Sequence, residues 1–195
     1  MELFFSAVFG FALGSIPFGL ILTRAAGLGD VRKIGSGSIG ATNVLRTGNK
    51  GLAAATVLLD AAKAAVPVLV AAAMWPGSEG IAAVAAVAGH CFTPWLAFKG
   101  GKGFASAAGA LGALAWPALL ACAAIWAITL FASRISSVSS MVTVVAAPIV
   151  VWALGYPQVI PPLLAIAAIV IVQHRANIGR LMRGEEPRVG SSAKP

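Results

Sequence analysis

Three polar blocks in this chain carry residue types that bind phosphate. The first reads Gly35-Ser36-Gly37-Ser38-Ile39-Gly40-Ala41-Thr42-Asn43-Val44-Leu45-Arg46. Glycines let a ligand approach the backbone closely, and consecutive N–H groups in such a loop form an anion-binding nest. Gly35-x4-Gly40 is followed by Ala41-Thr42, where a nucleotide phosphate loop needs Lys-Ser/Thr, so that motif is absent. Hydroxyls, an amide and Arg46 remain, a set suited to a phosphate without a nucleotide. The plainer alternative is a flexible polar loop, which Gly-Ser composition alone would favour.

The second block, Gly89-His90-Cys91-Phe92-Thr93-Pro94-Trp95, runs on to Phe98-Lys99-Gly100-Gly101-Lys102-Gly103. Two lysines separated by glycines at a helix end can hold a phosphate by charge and by backbone N–H groups. Lys99 suits an ordinary cytoplasmic anchor equally well, and His90 by itself reads as a packing or hydrogen-bonding group. The third block is His174-Arg175-Ala176-Asn177-Ile178-Gly179-Arg180-Leu181-Met182-Arg183-Gly184-Glu185-Glu186. On a helix His174, Asn177 and Ile178 share a face, and Arg175 and Gly179 share another. His174 and Asn177 can therefore converge on one ligand. A basic segment lying on anionic lipid would explain the arginines, but not a neutral Asn and His pointing together.

The elements that must position these blocks are apolar helices. The 195 residues are 59% hydrophobic and only 10% charged, with a formal net charge of +8 and a mean hydropathy of +0.92. A solvated globule carries roughly 25% charged residues, so these numbers describe a polytopic membrane protein and exclude disorder, collagen-like repeats and a secreted disulfide scaffold. Apolar runs fall at 3–22, 51–74, 80–98, 104–132 and 139–173. The first is read as a span and not a signal peptide, because it lacks a basic leading region and no Ala-x-Ala site follows. Trp116-Pro117 divides the fourth run and Gly155-Tyr156-Pro157 the fifth.

About seven transmembrane helices result, two or more of them short, with the N-terminus outside and the C-terminus cytoplasmic. This arrangement collects Arg24, Arg32, Lys33, Arg46, Lys50, Lys99, Lys102, Arg134 and the basic tail inside, leaving Glu2 and Glu79 outside. A five-span version keeps the tail inside but strands Arg134. Residues 1–187 form a single membrane domain, and 188–195 are expected to be an unstructured tail. Asp60 and Lys63, three apart in the second span, are expected to pair, since an unpaired charge at the bilayer centre costs about 2.5–3.5 kcal/mol or more. A part in orienting a site is secondary for them. Cys91 and Cys122 read as small buried apolar residues, and no metal site is expected.

The residues alone thus point to a bilayer-embedded site for a small phosphorylated molecule, open to the inside. A small transporter or channel for a phosphorylated metabolite or anion is the alternative, against which all phosphate-type groups gather on one side and no clear inverted repeat is present.

At these blocks the sequence resembles the bacterial acyl-phosphate:glycerol-3-phosphate acyltransferase (PlsY) family. The matching words are Gly14-Ser15-Ile16-Pro17-Phe18-Gly19, residues 35–46, residues 89–94 with 99–103, and residues 174–181, in order over nearly the whole chain. The resemblance implies an all-α enzyme of the bacterial cytoplasmic (inner) membrane. It would transfer a fatty acyl chain from acyl phosphate to the 1-hydroxyl of glycerol 3-phosphate, giving lysophosphatidic acid and inorganic phosphate, the first acylation of phospholipid synthesis. Consistent with this, the His-x4-Asp of thioester-dependent acyltransferases is absent: Trp95 follows five after His90, and Gly179 five after His174. Carried over by position, Ser36, Arg46, Lys102, His174 and Asn177 are the expected catalytic residues. Gly35, Gly37, Ser38, Gly40, Thr42, Asn43, Lys99, Gly100, Gly101, Gly103 and Arg175 are the expected phosphate-binding ones. The implied chemistry is direct transfer without an acyl-enzyme, needing no cofactor, metal, nucleic acid or obligate protein partner beyond membrane lipid.

Overall fold

A computed structural model describes residues 1–190, and among them all regular structure is helical. In chain order the helices are α1 (Glu2–Gly14), α2 (Phe18–Ala25), α3 (Ala41–Val44), α4 (Lys50–Met74), α5 (Glu79–Cys91), α6 (Phe104–Leu114), α7 (Trp116–Ser133), α8 (Ser136–Ala153), α9 (Ile160–Gln173) and α10 (Arg175–Met182). The first expected apolar segment holds α1 and most of α2, and each of the other six corresponds to one helix. By length and apolarity Glu2–Ala25, Lys50–Met74, Trp116–Ser133 and Ser136–Ala153 can each cross a membrane, and α9 with α10 would make a fifth path bent by 57°. With 13 and 11 residues, α5 and α6 reach only about 20 and 16 Å at ~1.5 Å per residue, short of a ~30 Å hydrocarbon layer.

Packing follows membrane rules, with small residues inside and large ones outside. The core is built from Ala64, Ala71, Ala82, Ala83, Ala86, Val87, Ala110 and Val151, whereas Leu58, Ile128, Phe131 and Trp152 face outward. Glycines set the closest approaches. A Cβ on Gly14 of α1 would overlap the backbone of Ala86 on α5, and one on Gly109 of α6 would overlap Ala61 on α4.

Two of the expected spans are not unbroken helices. The run at 3–22 is broken at 15–17, where Pro17 lacks the N–H needed to continue the helix. Neighbours take up the freed polar groups: Lys63 Nζ donates to Ile16 O at 2.7 Å, Thr93 Oγ1 to Ser15 O at 2.7 Å, and Trp95 Nε1 to Ser15 Oγ at 2.9 Å. The run at 80–98 stops as helix at Cys91, before the Thr93-Pro94 step that disfavours helical backbone. The chain then passes through Ala97 and Phe98, both at positive φ (51° and 62°). The expected ion pair is present, Lys63 Nζ to Asp60 Oδ1 at 2.7 Å. Of the tail, residues 191–195 lie outside the described residues, while Val189 N–H donates to Arg134 O at 2.7 Å.

Candidate functional site

The first polar block is a loop shaped from within by Asn43, which is 2% exposed. Its Nδ2 donates to Val31 O and Ser38 O, both at 2.8 Å, and to Ile34 O at 3.1 Å. Its Oδ1 accepts from the Ser36 N–H at 3.1 Å. The sequence marks Asn43 as phosphate-binding; in the structure its Nδ2 and Oδ1 are both engaged within the loop, and Oδ1 holds the Ser36 N–H. Gly35 and Gly37 sit at positive φ (54° and 68°), as a loop that curls around a buried amide requires. Arg32 and Arg24 are held away by Asp30, at 2.6 and 3.1 Å.

The second block returns from Cys91 so that Gly100 N–H donates to Cys91 O and Gly101 N–H to His90 O, at 3.0 and 3.1 Å. This delivers Lys102 to the head of α6. Burial, with Arg180 and Arg46 nearby, brings the Lys102 ammonium down to about 8, against the upward pull of Glu186. Lys99 remains exposed and borders neither cavity described below.

The third block is not one straight helix. The chain bends by 57° between α9 and α10, with His174 at the joint and 2% exposed. His174 Nδ1 lies 2.7 Å from Val170 O; a carbonyl only accepts, so Nδ1 carries the proton and Nε2 is the acceptor of the neutral ring. Asn177 Nδ2 donates to Glu186 Oε1. The same carboxylate takes Ser137 Oγ at 2.6 Å and Arg180 Nε at 2.7 Å. Burial alone would raise the Glu186 carboxyl, but these three donors hold it below its ordinary value. Asn177 Oδ1 is left as a buried acceptor without a partner.

Two adjoining cavities meet on these residues. A small polar one of about 180 Å³ is bordered by Ser36, Gly37, Ser38, Gly100, Gly101, Lys102, Gln173, Arg175, Asn177 and Arg180. A larger one of about 1040 Å³ shares Ser36, Ser38, Lys102, Asn177 and Arg180, and adds Gly35, Gly40, Thr42, Asn43, Arg46, Gly103 and His174 at its head. It continues between α4, α6, α7, α8 and α9, lined by Val57, Phe104, Leu111, Trp126, Val144, Ala147 and Leu163. From His174 to Leu163 is about 16 Å along α9. All the sequence-marked residues except Lys99 border one cavity or the other.

Arg180, Glu186 and Ser137 were missed by sequence reasoning. The one available signal was an acidic pair, Glu185-Glu186, closing an otherwise basic segment. Chemically, the arrangement brings cations, hydroxyls and an unpartnered amide oxygen to the mouth of an apolar channel, so it can hold two anionic groups side by side with one long apolar tail.

Comparisons with known proteins identify the family. The family model described as glycerol-3-phosphate acyltransferase matches residues 4–184. A glycerol-3-phosphate acyltransferase of Erythrobacter litoralis is 59% identical over 186 residues, covering 95% of this chain and 94% of its own. One from Mesorhizobium japonicum is 53% identical over 189 residues, with 97% of each chain covered. Among solved structures, the chain is similar to PlsY (YgiH), an integral membrane glycerol 3-phosphate acyltransferase, in its glycerol 3-phosphate form. The TM-score is 0.91 at 33% identity, covering 97% of this chain and 96% of that one. The lysophosphatidic acid form of the same protein gives a TM-score of 0.90 at 32% identity, with the same coverage.

Proposed function

The chain belongs to the glycerol-3-phosphate acyltransferase family and is an integral membrane enzyme; from that premise we propose that it draws its acyl group from an acyl phosphate. The acceptor is the 1-hydroxyl of glycerol 3-phosphate, and the products are lysophosphatidic acid and inorganic phosphate. The enzyme sits in the bacterial cytoplasmic membrane with its site on the cytoplasmic side, where the positive-inside distribution of Lys and Arg puts the three blocks. Its apolar helices all take part in the membrane-embedded body.

The observation that carries this reading is the shared wall of the two cavities, made by Ser36, Ser38, Lys102, Asn177 and Arg180. Glycerol 3-phosphate occupies the small polar cavity, with its phosphate on Lys102, Arg175 and Arg180. Acyl phosphate occupies the large one, with its phosphate among Ser36, Thr42 and Arg46 and its tail in the apolar channel. Two phosphates brought this close repel one another, and Arg46, Lys102 and Arg180 offset that charge. Asn177 Oδ1 accepts from a hydroxyl of the acceptor, which satisfies the buried oxygen.

Acyl phosphate is a mixed anhydride and already activated. The acceptor oxygen attacks the carbonyl carbon, the bond from that carbon to the phosphate oxygen breaks, and the leaving phosphate takes the hydroxyl proton. Positioning and charge stabilisation then supply the rate, with no acyl-enzyme. Once the leaving phosphate carries that proton, its P–OH donates to His174 Nε2, which holds it in place.

The test uses purified protein in lipid with long-chain acyl phosphate and glycerol 3-phosphate, following lysophosphatidic acid and released phosphate together. Equimolar products from acyl phosphate but not from acyl-CoA are expected, with KM for glycerol 3-phosphate raised in Lys102→Ala. Turnover with acyl-CoA alone would refute the donor assignment, and an acylated Ser36 trapped in a single turnover would refute direct transfer.

A further inference from the structure

The loop at 99–103 is seated on His90. Beyond the two backbone hydrogen bonds already described, a Cβ on Gly101 would overlap the imidazole at Nε2, and one on Gly100 would overlap the His90 carbonyl. Neither glycine has a positive φ, so contact with His90, not turn geometry, requires them. The next residue is Lys102.

What holds the imidazole comes from α4. His90 Nδ1 lies 3.6 Å from Asp60 Oδ1, and the same oxygen lies 2.7 Å from Lys63 Nζ. Lys63 in turn donates to Ile16 O, and Ser106 Oγ of α6 donates to Asp60 O at 2.9 Å. All three titratable groups are buried, and Asp60 Oδ1 and His90 Nδ1 face one another without a well-formed hydrogen bond. An ion pair inside the membrane needs only Asp60 and Lys63. It does not account for a third buried polar group directed at the same oxygen, nor for Asp60 and His90 both bordering the large cavity beside Lys102.

We infer that Asp60 and His90 are positioning residues for the phosphate site: Asp60 sets the orientation of the imidazole, and the imidazole sets the placement of the Gly100–Gly101 backbone and of Lys102 relative to Ser36 and Asn177. The inference rests on the reading of 99–103 as the loop that holds the phosphate of glycerol 3-phosphate. No proton or covalent bond passes through the pair. Its effect is geometric, and it falls on the binding of the glycerol 3-phosphate phosphate, so it is read in KM.

Steady-state kinetics in lipid, with each substrate varied, test it on three variants. His90→Asn keeps a donor near Asp60 but removes the ring beneath Gly101. Asp60→Asn combined with Lys63→Met removes the carboxylate without leaving an unpaired lysine. His90→Gln carries an amide out towards the Nε2 position. For the first two, KM for glycerol 3-phosphate is expected to rise about tenfold or more while kcat changes less than about threefold. His90→Gln recovers part of the lost KM.

Folded variants with wild-type KM overturn the inference, as does a fall in kcat at constant KM. Failure of all three to fold would make the cluster a folding element only and also overturn it. Lys102→Ala separates the two levels of the argument. If it keeps wild-type KM, the phosphate-loop reading itself fails; if it loses KM while the His90 and Asp60 variants do not, that reading stands and only this inference falls.

Discussion

The amide of Asn177 donates to the carboxylate of Glu186, and this bond decides which end of Asn177 is left free. A carboxylate only accepts, so Nδ2 must face Glu186 and Oδ1 is presented as the free acceptor. The acid that closes the third block is thus the anchor of its amide and of Arg180.

Glu186→Ala leaves Asn177 Nδ2, Ser137 Oγ and Arg180 without their common partner. The loss expected is about 3 kcal/mol, the scale of breaking one side of a buried charged contact. Thermal unfolding in detergent measures it. The Glu186 carboxyl is held below its ordinary value, so its stabilisation is fully present above that ordinary value and is lost as pH falls through the folded one. Wild-type melting temperature should therefore drop on acidification more steeply than that of Glu186→Gln.

Lys102 supplies a pH dependence of the opposite sense. Its ammonium titrates at about 8 before substrate arrives. Affinity for glycerol 3-phosphate is expected to be constant below that pH and to weaken up to about tenfold per unit above it, as the charge is lost. Lys102→Arg stays charged and should flatten the profile, whatever its absolute affinity. For stability the sign reverses: the unfolded chain binds the extra proton between about 8 and the ordinary lysine value, so Lys102 makes folding more favourable as pH rises across that window. Calorimetric titrations across pH 7–10 check the binding limb.

Asn43→Ala should act on the first loop and not on a ligand directly. It strands the Ser36 N–H and the carbonyls of Val31 and Ser38, costing about 2 kcal/mol. Proteolysis within 31–46 should accelerate, and KM for acyl phosphate should rise. A variant with normal KM and normal proteolysis would show the amide to be dispensable.

The apolar channel makes a prediction about donor length. Ala147 borders it near Leu163, well away from the polar head. Ala147→Phe is expected to cut kcat/KM about tenfold for a 16-carbon acyl phosphate and less than about threefold for a 10-carbon one, since each displaced methylene forfeits on the order of 1 kcal/mol. Equal loss for both donors would place the tail elsewhere.

Apolar runs and the Pro and Gly breaks between them depend on local chemistry, so the segments, the all-helical membrane class and the residues clustered in the three blocks were legible from the chain alone. So was the Asp60–Lys63 pair, because a three-residue spacing on a helix is itself a geometric statement. Family membership likewise followed from the order of the blocks. What could not be read locally were contacts between segments distant in sequence. The break at Pro17 matters because Lys63 and Thr93, 47 and 78 residues from their acceptors, come to the carbonyls beside it. Asn43 turned inward because three carbonyls surround it, Glu186 folded back because three donors await it, and His90 acquired its place under Gly101 only when α4 brought Asp60 beside it. Hydropathy and spacing determine which segments enter the bilayer; which polar atoms satisfy one another once water is excluded is a property of the packed bundle, and only the tertiary structure decides it.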